Sequence, residues 1–232
     1  MIWANTAGAV DCRTVTHEDI PYTVCSVDPA EDLRLFLNDA DARPFGHFTM
    51  MDRALADQGL TLAFAMNAGM YHNDRRPVGL YVENGQETTP LQTRASPGNF
   101  GLLPNGVFCI GDSGAQVIET RAFAARLPDC RFATQSGPML VIDGALHPRF
   151  LVDASSRNIR NGVGVDATGR VHFAISDARV TFHQFGRLFR DVLATPQALY
   201  LDGSISRLHA PMMDRSDPGF AMGPIVGVVI PR

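Results

Sequence analysis

Lysine is absent from the 232 residues, and all 20 basic residues are arginine. That absence excludes a Schiff-base mechanism on a lysine amine and a Walker-type phosphate loop, both of which need that amine. Long hydrophobic runs are missing as well: no apolar stretch reaches the roughly 20 residues of a membrane-spanning helix. The net charge of −4 offers no basic field for a polyanion, so no nucleic-acid partner is expected, whereas a small anionic ligand remains compatible. The four cysteines, Cys12, Cys25, Cys109 and Cys130, show no CxxC spacing, which argues against a zinc site built from them. HxH, HExxH, GxSxG and GxGxxG are all missing, so neither a metal nor a cofactor is called for. His147, His172, His183 and His209 are therefore expected to be packed or surface residues.

A hydrophobic content of 45% with ordinary charge describes a globular chain able to bury a sizeable core. Short strands are expected over 22–27, 33–37, 60–66, 79–83, 106–110, 115–119, 131–135, 162–165, 171–175, 198–201 and 225–230, the first two opening a sheet together. Helical spacing marks 47–58, 120–127 and 182–193, where Phe182, Phe185, Leu188, Phe189, Val192 and Leu193 share a face. Asn84-Gly85 is a hairpin turn, and 93–99 and the segment from Ala210 read as loops. With no repeat or linker, the expectation is one α+β domain over 1–232, a mixed, mostly antiparallel sheet with covering helices. Three cysteine pairings are open; Cys109, inside the apolar run 107–110, reads as a buried free thiol. The first residues, Met-Ile-Trp-Ala-Asn, have neither the basic nor the long apolar region of an intact export signal. Had such a signal been trimmed, the cysteines would be candidate disulfides.

Chemistry concentrates where apolar strands deliver polar side chains into turns. Residues 198–201 run into Asp202-Gly203-Ser204, and an acid at the end of a buried strand must be hydrogen-bonded or paired, because an isolated buried charge costs several kcal/mol (roughly). Residues 60–66 lead into Asn67, and 171–175 into Ser176 and a second acid, Asp177. Glu83 sits beside the Asn84-Gly85 turn. At Gln135-Ser136-Gly137-Pro138 the proline removes a ladder donor, so the chain must bend or lie at an edge, freeing Gln135 and Ser136 to face a cleft. Arg157, Arg160 and Asn161 lie in and after a loop before the 162–165 strand.

Several of these segments together resemble the phosphodiester glycosidase family, that of the mannose-6-phosphate uncovering enzyme. Asn67-Ala68-Gly69-Met70-Tyr71 resembles its Asn-Gly-Gly-Phe-Phe element, Pro77-Val78-Gly79 its Pro-x-Gly, and Ser136-Gly137-Pro138-Met139-Leu140 its segment ending in Pro-x-Leu. Arg160-Asn161-Gly162-Val163-Gly164 resembles Arg-Thr-Ala-Ile-Gly, Asp177 falls at an acid after a buried strand, and Leu201-Asp202-Gly203 opens the Leu-Asp-Gly-Gly-Gly-Ser signature. The likeness runs in order from about residue 60 to the C-terminus and is strongest to exported bacterial members. Ala68, Met70, Ser204 and Arg207 depart from the pattern.

The resemblance implies a hydrolase that cleaves a sugar-1-phosphate ester to free sugar and a phosphate monoester, acting on a small-molecule or glycan phosphodiester in an exported setting. On that reading Asp202 serves the anomeric centre, with Asp177 and Glu83 as the second acid or as sugar ligands. Arg160 and Arg157 bind phosphate, while Asn67, Gln135, Ser136, Asn161, Gly203 and Ser204 line the substrate site. A non-catalytic module that binds sugar phosphates or cell-envelope glycans is the alternative, and the Ser204 and Arg207 departures favour it. A metal-assisted phosphodiesterase would need clustered Asp and His ligands, which the scattered histidines do not supply.

Overall fold

A computed structural model describes residues 10–202 and 205–232. The expectations for the first residues and for Gly203 and Ser204 lie outside the described residues. In chain order, β1 (Val10–His17), β2 (Ile20–Val27) and β3 (Leu33–Phe36) precede helix α1 (Phe48–Ala56) and β4 (Leu60–Asn67). Next come β5 (Tyr81–Glu83), β6 (Gln86–Thr89), β7 (Gly106–Gly111), β8 (Gly114–Glu119), α2 (Thr120–Arg126), β9 (Phe132–Ser136), β10 (Met139–Ile142) and β11 (Ala145–Leu146). After them follow β12 (Asn161–Val165), β13 (Val171–Ser176), α3 (Phe182–Arg187), β14 (Gln197–Tyr200), β15 (Leu208–Ala210), β16 (Arg215–Ser216) and β17 (Ile225–Pro231).

Instead of one sheet there are three, of seven strands (β1-β2-β13-β12-β14-β10-β11), five (β16-β15-β4-β17-β3) and five (β6-β5-β9-β7-β8). Strand pairing is antiparallel in each of them, in keeping with the α+β class inferred from the sequence. One core cluster draws on all three sheets: Phe64 of β4 and Phe173 of β13 lie 4.9 Å apart, and Phe108 of β7 meets Phe173 edge-on at 5.8 Å. These aromatic pairs lock the sheets by burial and ring geometry together. A second cluster packs α3 and the turn after it against the seven-stranded sheet through Phe185, Leu188 and Phe189.

Other expectations need correction. The strand pair expected to open one sheet is divided, because β2 pairs with β1 and β13 whereas β3 pairs with β17. β1 itself carries no clean apolar alternation, being held by full register against β2 rather than by a buried face of its own. The helical period over 182–193 is carried by α3 and then by a π-helical stretch, Leu188–Val192, which keeps Phe189 inward. α3 begins with a capping box in which Thr181 and Gln184 satisfy each other's backbone N–H groups.

Cys109 is not a free thiol. It is bonded to Cys130, with Cα atoms 5.5 Å apart, and Cys12 is bonded to its cross-strand partner Cys25. The apolar neighbours of Cys109 reflect burial of the bridge itself, which sequence spacing does not report. At the Gln-Ser-Gly-Pro junction the chain bends, as the proline demands, leaving β9 in one five-stranded sheet and entering β10 in the seven-stranded one.

Candidate active site

Antiparallel order places the start of β12 and the ends of β13 and β14 on one rim of the seven-stranded sheet, bringing Asn161, Asp177 and Asp202 to the same edge. The chain then crosses from β14 to β15, which pairs with β4, so Asn67 at the end of β4 meets this crossover. Asp202 therefore stands where two sheets join.

Its backbone is held on every side. Asn161 Oδ1 accepts the Asp202 N–H at 3.1 Å, Ser206 Oγ donates to the Asp202 carbonyl at 2.9 Å, and Ser136 Oγ donates to the preceding Leu201 carbonyl at 2.5 Å. Asn67 locks the arrangement, because its Nδ2 donates to Asn161 Oδ1 at 3.3 Å and its Oδ1 accepts the Arg207 N–H at 2.8 Å. Asn161 Nδ2 in turn donates to the Asn67 carbonyl at 2.9 Å. Both amides are fully buried, and Asp202 is 6% exposed. Buried polar groups so fully paired make a rigid frame.

Two phenols feel the charge of the acid, and arginines stand behind them. The Tyr71 phenol is pushed up to about 12, first by burial and then by the Asp202 charge, against the opposing pull of Arg75 and Arg207. Tyr200 is also raised to about 12, by burial foremost. Arg160, 1% exposed, donates from Nη1 to Tyr200 Oη at 3.2 Å and from Nε to the Val180 carbonyl at 3.0 Å, with its guanidinium 3.7 Å from the Phe182 ring centroid. Burial lowers its affinity for the proton. Gly69 lets the Asn67–Tyr71 turn press on β9: a Cβ there would sit 2.3 Å from Thr134 Oγ1 and 2.8 Å from the Gln135 carbonyl.

Other residues singled out in the sequence are engaged elsewhere. Gln135 does not face a cleft. Its Oε1 accepts the N–H groups of Leu80 and Gln92, and its Nε2 donates to the Gln92 carbonyl and Thr120 Oγ1, so the amide is spent on the segments that flank its sheet and on the start of α2. Ser136 acts on Leu201 rather than on a cleft. Asp177 accepts Arg215 Nη1 at 2.7 Å and Thr23 Oγ1 at 2.9 Å. Glu83 accepts the Tyr81 hydroxyl at 2.7 Å in a separate hollow with Leu37 and Arg76, and burial raises its pKa. Arg157 is exposed and donates to Gln184 Oε1 at 2.9 Å.

Arg207, one of the departures, turns away from Asp202: its guanidinium donates to the carbonyls of Asp217 and Phe220. Sequence reasoning passed over the electrostatic coupling of Tyr71 to Asp202, and over the brace from Ser206. The signals were the place of Tyr71 at the end of the Asn67–Tyr71 element and four residues before the double arginine, and neither says anything about direction. Among the described residues no group of three or more His, Cys, Asp or Glu is placed to hold a metal ion.

A fold of three antiparallel sheets with an acid on a braced crossover defines a class, and comparison with known proteins gives it a family. The phosphodiester glycosidase family model matches residues 61–210, and the chain belongs to that family of hydrolases. It is 32% identical over 204 residues to the uncharacterized protein YigE of Escherichia coli strain K12, covering 88% of this chain and 80% of that one.

Solved structures share the fold at lower identity. The catalytic domain of zebrafish N-acetylglucosamine-1-phosphodiester alpha-N-acetylglucosaminidase, auto-inhibited by its pro-peptide, superposes with a TM-score of 0.65 at 13% identity, over 97% of this chain and 84% of that one. A hypothetical protein from Synechocystis gives 0.63 at 15%, over 97% and 63% of the two chains. A putative exported protein from Burkholderia pseudomallei K96243 gives 0.59 at 12%, over 90% and 74%.

Proposed function

We propose that the chain hydrolyses a glycosyl phosphodiester at the C1–O bond, releasing free sugar and a phosphate monoester, with Asp202 at the anomeric centre. The observation that carries this reading is the clamp on Asp202: the Asp202 N–H donates to Asn161 Oδ1, and the hydroxyls of Ser206 and Ser136 donate to the carbonyls of Asp202 and Leu201, which fixes the backbone there. A carboxylate that must face a transient positive charge gains from such pre-set geometry.

As C1–O breaks, the bonding pair leaves with the phosphate oxygen. The resulting monoester has its last pKa near 6 (about), so it departs without a general acid. Asp202 stabilises the oxocarbenium-like centre, and a water oxygen bonds to C1 and passes its proton to the released phosphate monoester or to bulk water. Asn67 and Asn161 act as positioning residues, because their amides are already paired with protein groups. Arg160 holds Tyr200 from behind. Asp177 and Glu83 serve the frame, each bound to its own partner.

Two disulfides, together with a structural neighbour described as exported, support an oxidising, exported setting. The test incubates the protein and its Asp202→Asn variant with a panel of glycosyl methyl phosphodiesters, N-acetylglucosamine first, and follows free sugar and methyl phosphate together. Equal release of both by the parent, reduced at least about 100-fold in the variant, supports the reading. No release from any diester in the panel overturns it.

A further inference from the structure

Next to the clamp lies a hollow of about 320 Å³, at the lower end of the roughly 300–1,000 Å³ typical of small-molecule sites. Its walls come from Asn158 and Ile159, from Ser206 and Arg207 just past Asp202, and from the 218–220 turn, with Arg179 on the remaining side. Ser206 joins it to the clamp, because this lining residue also donates from its hydroxyl to the Asp202 backbone carbonyl at 2.9 Å. The hollow therefore adjoins the stretch of backbone that carries Asp202, although Asp202 itself does not line it.

Three features set the chemistry of the hollow. Its lining contains two arginines and no carboxylate, in a chain whose net charge is −4. The Arg207 guanidinium is committed to the Asp217 and Phe220 carbonyls, but Arg179 is exposed and makes no hydrogen bond or ion pair among the described residues. The backbone that carries Arg179 is nevertheless fixed, since Asn158 and Val180 exchange backbone hydrogen bonds of 3.1 and 2.9 Å. Finally, Phe220 is 81% exposed, while its carbonyl is pinned by Arg207 Nη1 at 2.8 Å, so an apolar ring stands at the rim on an anchored turn.

We infer that this hollow is the leaving-group subsite, and that it selects phosphodiesters whose alcohol part carries a ring: Arg179 binds the phosphate and Phe220 packs against that ring. The inference rests on the proposed glycosidase reading and adds the substrate class to it. A phosphodiester bears one negative charge, and cleavage at C1–O develops a second on the departing phosphate. A cation placed there is thus worth more in the transition state than in the bound substrate, which raises kcat rather than binding alone. The ring on the far side contributes by burying apolar surface against Phe220, which acts on substrate choice.

The experiment compares methyl and benzyl diesters of N-acetylglucosamine 1-phosphate, and in parallel measures binding of benzyl phosphate by calorimetry. Variants are Arg179→Met and Phe220→Ala, with Leu151→Ala, exposed and outside the hollow, as the control, and melting curves establish that each is folded. The expected result is a parent preference for the benzyl diester and a kcat/KM at least tenfold lower on both diesters in Arg179→Met. Phe220→Ala is expected to cut the benzyl-to-methyl ratio at least fivefold. Benzyl phosphate should bind the parent at least tenfold more tightly than Arg179→Met.

Turnover of both diesters by folded Arg179→Met and Phe220→Ala within twofold of the parent would sink the subsite while leaving the hydrolase reading intact. Binding of benzyl phosphate that depends on Arg179, in a protein that cleaves no diester, would do the reverse. Absence of both turnover and binding overturns the two together.

Discussion

Asn161 Oδ1 accepts the backbone N–H of Asp202 at 3.1 Å, tying the first residue of β12 to the acid that follows β14. The same oxygen takes Asn67 Nδ2 and Ser206 Oγ, so one buried atom joins two sheets and the crossover between them. Asn161→Ala would leave several buried groups without partners, at about 1–3 kcal/mol for each group that water does not rescue. We expect a lower melting temperature together with a loss of activity of at least about tenfold expressed in kcat rather than KM, because the acid is misplaced rather than removed. Steady-state kinetics on a protein still folded at the assay temperature checks this.

Arg160 presents a second case, a buried cation that contacts no carboxylate among the described residues. Its donors go to the Val180 and Ser156 carbonyls and to the Tyr200 hydroxyl, and its face lies on Phe182. Arg160→Lys keeps the charge but not the planar fork, and Arg160→Met keeps the bulk but neither the charge nor the donors. Denaturant unfolding should show both variants destabilised, Arg160→Met by about 3 kcal/mol through the orphaned acceptors and the lost cation–ring contact. A loss below about 0.5 kcal/mol in both would mean that the fork is not structural.

Asp166, His172 and Ser26 form a hydrogen-bonded chain, with His172 Nε2 3.0 Å from Asp166 Oδ2 and Nδ1 2.9 Å from Ser26 Oγ. Burial works to raise the Asp166 pKa, but hydrogen bonds from Thr168, His172 and Arg170 outweigh it and hold the carboxyl at about 2. A carboxyl depressed in the folded state adds stability that is present above its ordinary value of 3.8 and is lost as the pH falls towards 2. Asp166→Asn should therefore cost about 1 kcal/mol at neutral pH, discounted for solvent screening, and the difference from the parent should shrink below pH 3.8. Unfolding curves at pH 7 and near pH 3 test the sign.

The bridges Cys12–Cys25 and Cys109–Cys130 close loops of 13 and 21 residues in sequence separation. Loops of that length, constrained in the unfolded chain, stabilise by about 3 kcal/mol each. Non-reducing peptide mapping should recover these two pairs, and replacing either pair by serine should lower the melting temperature. Recovery of any other pairing would contradict the register of β1 against β2 or the docking of Cys130 beside β7.

Much of the outline was legible in the sequence. Apolar alternation marked the inner strands, such as the hairpin of β12 and β13 joined by Ala167-Thr168-Gly169, because one or both of their faces are buried. The ordered motifs from Asn67 to Asp202 carried the family, and the apolar strand ahead of Asp202 marked a residue that could not be left unpartnered. Local pattern also determined the mainly antiparallel α+β class.

Only the tertiary structure decided the partners. Division into three sheets, the separation of β2 from β3, and the pairing of Cys109 with Cys130 are contacts between distant residues, to which local periodicity is blind. The direction of each polar side chain is fixed in the same way. Gln135 points onto the start of α2, Arg160 onto Phe182 and Arg207 onto a C-terminal turn, because buried donors and acceptors must be matched by whatever packing brings near. Residue type and spacing state which groups need partners; the fold states which partners they get.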